Sequence, residues 1–487
     1  MDHEPSSQPS HFFNIETKWL VLLAVGIGTF MSALDGSVVN AILPIIQEYF
    51  KTNVATVEWV VTIYLLVVSG LLLTFGRLGD LRGNKSVYVW GFVIFVTGSA
   101  LSGLSPTPVY LISARALQAL GAAMLFANSP AIITKTFPAA QRGQALGLQG
   151  TMTYLGLTTG PFLGSWLAGQ FSWHAVFFIN VPIGLFATWL SWRVIPKDVP
   201  AERKEGFELT GSFTFIAGLV TLLLALNQGQ EWGWFSPVIL GLLAASVIIL
   251  AFFVWIEQRA PAPMLDLSLF RNQIFNMAAV SPILNYICIY SVLFLMPFYL
   301  IQGRGLSPAQ AGLILTAQPL VMALMAPIAG TLSDRIGSQI PTTLGMSILA
   351  VGLFLLSRIA PTSSFVYVVL SLAVTGLGPG IFVAPNNSAL MGAAPRNRQG
   401  IASGVLALAR NVGMVLGVGL TGAVFTTMLA HGQSNAPATI VRAVDAGLLF
   451  ACGAAVLAAV ASFARGADRP QSPPSKEEKA VSSVVEF

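Results

Sequence analysis

Long apolar runs, one after another, set the first limit on how this chain can fold. Fourteen stretches approach or exceed the roughly 20 residues of helix needed to cross a bilayer: 19–46, 57–75, 86–104, 109–136, 142–168, 175–195, 210–226, 237–256, 274–301, 309–332, 340–357, 364–391, 401–429 and 443–463. Charged residues are only 9% of the sequence, whereas a soluble domain carries about 25% because its surface must face water. Most of this surface therefore faces lipid. A closed β-barrel is the only other way to span a membrane, but barrel strands alternate in polarity and these runs are continuous. The expectation is an all-α integral membrane protein.

The basic residues give an orientation. With both termini on the inner side, all but six of the 25 Lys and Arg fall there. Lys51, Arg304, Arg358 and Arg442 lie outside, and Arg115 and Arg410 lie within spans. The net charge of +5 is then mostly this inward bias and calls for no nucleic-acid partner. The expected location is the cytoplasmic membrane, with many passes and both termini cytoplasmic. Residues 1–17 are polar with three acids, and the first apolar run is too long for a cleavable signal. Cys288 and Cys452 fall in spans and suggest no disulfide framework. The Pro-, Ser- and Glu-rich tail at 466–487 reads as disordered.

Against that background one carboxylate stands out. On this segmentation Asp35 alone, of 20 Asp and Glu, lies well inside a span, where a charge costs at least ~2.5–3.5 kcal/mol. A carboxylate that gains and loses a proton there can couple a protein to a proton gradient. Asp35 lies about 24 Å along its helix from the inner side, and Arg115 about 9 Å down from the outer side, at 1.5 Å per residue. The two sit at similar depth, so they can pair. A structural ion pair is the plainer reading of both. Gln118, one turn from Arg115, joins the same network or satisfies itself.

Between the second and third runs, Gly76-Arg77-Leu78-Gly79-Asp80-Leu81-Arg82-Gly83-Asn84-Lys85 reads as a tight turn in which Asp80 pairs with Arg77 or Arg142 and faces the N-terminal end of another helix, where the dipole favours an anion. Gly330-Thr-Leu-Ser-Asp334-Arg-Ile-Gly337 repeats its Gly-x-Leu-x-Asp-x-x-Gly pattern. A motif recurring in two halves indicates an internal duplication, common in secondary transporters. The repeat divides the chain into 1–17, a six-helix bundle at 18–196, two additional helices with linkers at 197–272, a second six-helix bundle at 273–465, and the tail. Gly156, Gly160 and Gly164 recur every four residues, a helix face that lets backbones approach closely, and Pro161 permits a bend. Gly413 and Gly417 form a similar surface.

With these motifs in place, the chain resembles the major facilitator superfamily, and within it the fourteen-span drug:proton antiporter branch. Gly76 to Lys85 looks like the superfamily's loop signature, although Leu81 and Asn84 stand where basic residues are usual. Leu34 to Pro44, with Ser37 and Ile42 as substitutions, is similar to the branch's first-helix motif. Arg115 to Gly121 resembles its fourth-helix motif, linked in that family to proton transfer. Gly156 to Gly164 looks like the fifth-helix antiporter motif, and Trp173 to Gly184 is typical of the branch.

The resemblance implies two six-helix bundles plus two extra central helices, alternating access at the bundle interface, and export of small amphipathic compounds by proton antiport. Asp35 would be the protonation site, Arg115 its partner, and Gly156, Gly160, Pro161 and Gly164 the gate surface. The expected partners are lipid, protons and substrate, the expected state is a monomer, and the proton gradient is the energy source, with no cofactor or metal. Asn40, Gln118, Glu58, Tyr64, Tyr286, Asn386 and Arg410 are candidates to line the cavity. For Arg410 two readings stand: it faces the cavity and attracts an anionic group, or it pairs with carbonyls in a helix interface. Export of one native metabolite or lipid is an alternative, and a membrane sensor without turnover a more distant one. No nucleophile–base pair, phosphate loop or metal cluster supports an enzyme.

Overall fold

The computed structural model describes residues 16–52, 54–198, 209–260, 263, 265–430 and 437–466; the expected N-terminal segment and tail lie almost wholly outside them. Sixteen α-helices follow in chain order. The first seven are α1 (Thr17–Phe50), α2 (Val54–Arg82), α3 (Asn84–Gly103), α4 (Pro108–Thr136), α5 (Arg142–Gln170), α6 (Ala175–Phe178) and α7 (Asn180–Val194). Then come α8 (Leu209–Trp232), α9 (Pro237–Glu257), α10 (Gln273–Pro297), α11 (Pro308–Leu315) and α12 (Ala317–Ile336). The chain ends with α13 (Gln339–Leu356), α14 (Phe365–Ala393), α15 (Gln399–Ala430) and α16 (Pro437–Ala464). The pairs α6/α7 and α11/α12 each make one span, so every apolar run of the sequence corresponds to one helical rod.

Twelve of these rods, over their described residues, are long and apolar enough to cross a membrane. The other two are α5, diluted by glycine and threonine, and α8, whose apolar stretch Thr210–Leu226 is short. Helix starts are fixed by short polar side chains. Thr107, Ser236 and Ser364 each accept the backbone N–H three residues on, satisfying donors that a helix leaves unpaired at its first turn. Large apolar side chains such as Trp90, Phe162, Trp192, Leu313 and Phe463 point outward, as a lipid-facing surface requires. The chain is a multi-pass, all-helical membrane protein.

In the first half α5 packs along α1, and α4 along α2 and α3; in the second, α14 packs on α12 and α13, and α10 on α15 and α16. The halves meet where α2 lies against α15 and α5 against α12. The hairpin α8–α9 lies over α2 and α15, with Phe215, Leu219, Leu223 and Phe253 in a shared apolar cluster with Leu66, Leu73 and Val405.

Two sequence readings need correction. The Gly76–Lys85 motif is not mainly a turn: α2 continues to Arg82, so Gly76, Arg77, Gly79, Asp80 and Arg82 ride its last two turns. Only Gly83, at φ 93°, makes the turn, and Gly337 does the same for the repeat at φ 84°; that left-handed backbone suits glycine. The other glycines serve close approach. Asp35 is also not the only acid well inside a span. Asp445 lies in α16, which begins at Pro437, six residues before the expected start, and its Oδ1 is buried without a hydrogen-bond partner.

Candidate functional site

Asp35, Arg115, Gln118 and Asn180 are brought together from α1, α4 and α7, all essentially inaccessible to solvent. Thr107 and Pro108 start α4, which places Arg115 two turns inside. Arg115 Nη1 donates to Asp35 Oδ2 at 2.5 Å and to Gln118 Oε1 at 2.7 Å. Gln118 Nε2 donates to Asp35 Oδ1 at 2.9 Å, and Asn180 Nδ2 to the same oxygen at 3.1 Å. Asn180 also donates to Ser99 Oγ, which itself donates to the Phe177 carbonyl. The guanidinium is completed by a bond from Nε to the Val60 carbonyl at 3.3 Å and by the Tyr64 ring, 4.2 Å from Cζ. Both carboxylate oxygens thus hold donors. Arg115 keeps Gln118, Val60 and Tyr64 as partners that do not depend on it.

The glycine face of α5 lies directly behind this cluster. A Cβ on Gly156 would sit 2.6 Å from the Phe30 carbonyl oxygen and 3.0 Å from Leu34 N; one on Gly164 would sit 2.6 Å from Val38 Cγ2; one on Gly160 would overlap Ser37 Oγ. The surface expected to form a gate therefore clamps α5 onto α1, the helix of Asp35, within one half. Contact across the halves runs through two other glycines of α5, which the sequence reading passed over. Gly143 meets the Gly330 backbone, and a Cβ on Gly147 would lie 2.5 Å from the Ala326 carbonyl oxygen.

At the end of the molecule that carries both repeats, two aspartates bridge the halves in the same way. Asp80 accepts from Gly400 N at 2.7 Å and Ile401 N at 2.9 Å, at the start of α15. Asp334 accepts from Gly143 N at 2.8 Å and Gln144 N at 3.0 Å, at the start of α5. Each carboxylate occupies a helix N-terminus, where unpaired N–H groups and the dipole favour an anion. Gly76 packs on Gly400 and Gly330 on Gly143, which lets the backbones come close enough. The expected pairing of Asp80 with Arg142 does not occur. Arg142 Nε binds the Thr134 and Phe137 carbonyls instead, while Arg77 is buried beside the latch, Arg82 is exposed, and Lys85 Nζ binds the Ile195 carbonyl.

Between the halves lies a cavity lined in part by Phe126, Gln149, Tyr154, Tyr286, Asn387 and Arg410. Of the cavity candidates, Tyr286 and Arg410 line it. Gln118 and Tyr64 belong to the Asp35 cluster. Asn386 does not line the cavity: it donates to the Ala278 carbonyl and accepts from Arg465, tying α14 to α10 and the end of α16. Its neighbour Asn387 does line it. The side chains of Asn40, Glu58 and Pro161 lie outside the described residues. Gly413 and Gly417 seat α15 on α10 at Ile283, Tyr286 and Ile287, which holds Arg410 and Tyr286 at one wall. Among the described residues, no group of three or more His, Cys, Asp or Glu is placed to hold a metal.

Sequence reasoning passed over Asn180, Ser99 and Tyr154. The only available signal was a polar side chain inside an otherwise apolar run, and most such residues serve packing.

A helical membrane protein with two bridged halves, a cavity between them and a buried ion pair beside it is built as a transporter rather than an enzyme. The family model for the Major Facilitator Superfamily matches residues 25–417 and 278–486, and the chain belongs to that superfamily. It is 36% identical over 419 residues to the riboflavin transporter RibZ of Clostridioides difficile, covering 86% of this chain and 91% of that protein. It is 32% identical over 415 residues to the multidrug resistance protein Stp of Mycobacterium tuberculosis, covering 85% and 77%. Relatives of the latter kind place it with the drug-efflux branch. The human organic anion transporter MFSD10 superposes with a TM-score of 0.68 at 14% identity, over 92% of this chain and 100% of that one; that likeness shows the fold alone.

Proposed function

We propose that this protein is a proton-driven exporter of small amphipathic compounds, working as a monomer in the cytoplasmic membrane with both termini inside. The observation that carries this reading is the Asp35 cluster: a wholly buried carboxylate with donors on both oxygens, paired to an arginine that keeps other partners. Protonation of Asp35 would release Arg115 to Gln118, Val60 and the Tyr64 ring without stranding its charge. The side chains therefore offer two arrangements, one for each protonation state, as a coupled carrier needs. With the basic end inside, both aspartate latches would be closed on the inner face, as an outward-facing carrier requires. Opening towards the cytoplasm requires Asp80 and Asp334 to leave their helix ends.

A second reading, export of one native metabolite, is favoured by the relative named as a riboflavin transporter. Proton movement in proteoliposomes, measured on adding riboflavin or a panel of aromatic drugs, tests both. The expected result is a substrate-triggered proton flux in the wild type that Asp35→Asn loses while remaining folded. Full gradient-driven flux in that variant removes Asp35 from the coupling.

A further inference from the structure

The cavity differs from the ion-pair cluster in its charge. Arg410 is the single charged side chain among the residues lining it, and no Asp or Glu joins it there. The Arg410 guanidinium stacks over the Phe126 ring at 4.3 Å and has no carboxylate partner among the described residues. Asp35 is not available to it, since both of its oxygens are occupied by Arg115, Gln118 and Asn180. A second observation points the same way. Tyr154 is 3% exposed, lines the cavity, and has a hydroxyl with no hydrogen-bond partner. Tyr286 lines the same space, and Tyr290 packs with both tyrosines in one cluster.

A guanidinium without a counter-ion, an unused phenol donor and aromatic faces form a receptor for an acid. The guanidinium fork matches a carboxylate, the phenol adds a donor, and the rings stack on a planar body. An ammonium ion would meet a like charge with no carboxylate to hold it.

We infer that this cavity binds aromatic compounds carrying a single negative charge, with Arg410 pairing to the acidic group and Tyr154, Tyr286 and Phe126 contacting the ring. This deepens the export reading by naming its substrate class; transport of the ligand rests on that reading, whereas binding does not.

Three probes with one ring system test it: 9-anthracenecarboxylate, 9-anthracenecarboxamide and 9-(aminomethyl)anthracene. They are titrated calorimetrically at pH 7 into the full-length protein in lipid nanodiscs. The carboxylate is expected to bind about tenfold tighter than the amide, the scale of one hydrogen-bonded charge, with the ammonium weakest. Arg410→Gln brings the carboxylate to the level of the amide, and Arg410→Lys, which restores the charge, recovers most of the difference. Thermal unfolding of each variant confirms that it is folded.

Tightest binding by the ammonium overturns the assignment, as does carboxylate binding unchanged in Arg410→Gln. Failure of all three probes to bind folded wild-type protein also overturns it. Anion binding without any proton flux would instead sink the export reading and leave the receptor standing.

Discussion

Arg115 and Arg410 both lie well inside membrane-spanning helices, and they are handled in opposite ways. Arg115 is enclosed: an aspartate, a glutamine, a carbonyl and a tyrosine ring account for its guanidinium. Arg410 has one aromatic face against it and open space in front. A buried charge is tolerated only when paired, so the first arrangement is self-sufficient and the second is incomplete without water or a ligand. The contrast is between an acid and a cation held in a fixed network and a cation left facing a cavity. On the proposed function, a carrier that keeps these groups apart can change what it binds without losing its coupling acid.

The largest effect that would expose this contrast is on stability. Arg115→Gln leaves Asp35 buried with its principal cation gone, and is expected to cost on the order of 3–5 kcal/mol. Arg410→Gln removes only a cation–π contact of about 0.5–1 kcal/mol. Parallel thermal unfolding in detergent compares them, and equal losses would erase the distinction.

A middle-sized effect concerns access. Asp80→Asn keeps an acceptor but loses the charge at the α15 start, a change of about 1 kcal/mol. It should raise labelling of a cysteine placed at Thr153, on the cavity wall, from the side of the latch by about fivefold. Asp334→Asn should do the same through α5. Unchanged labelling in both would mean that neither aspartate holds that end shut.

The smallest effect is at Tyr64, whose hydroxyl is buried with no partner. Tyr64→Phe keeps the ring over Arg115 and should leave stability within about 0.5 kcal/mol and proton flux intact. Loss of flux would reveal that the hydroxyl is used in another conformation of the cycle.

The helical class, the rods and the Asp35–Arg115 pair were legible in the sequence because each follows from the cost of placing polarity in lipid. A run of apolar residues announces a helix, and a carboxylate and a guanidinium at equal depth announce each other. The repeat of Gly76–Gly83 at Gly330–Gly337 likewise foretold two equivalent structures. That Asp80 faces the N-terminal end of another helix was legible; which helix it meets was not, because every helix start offers the same backbone N–H groups and no side chain advertises them. For the same reason the glycines at 156, 160 and 164 showed a flat face without saying which helix it meets. Asn386 and Asn387 are adjacent in sequence, yet only the second lines the cavity. A single step along a helix turns a side chain by about 100°, and only tertiary packing decides which one looks inward.

A guanidinium does not give up its proton, so in the proposed alternating-access cycle the charge on Arg410 would stay with the cavity in every orientation. Filled by a monoanion, that cavity is electrically neutral as it turns; emptied, it carries one positive charge. Carrying a full elementary charge across the membrane involves about 2.3 kcal/mol per 100 mV. In a cell with a negative interior, voltage would therefore act mainly on the unloaded protein, drawing the vacant cavity back to face the cytoplasm and leaving the outward stroke almost untouched.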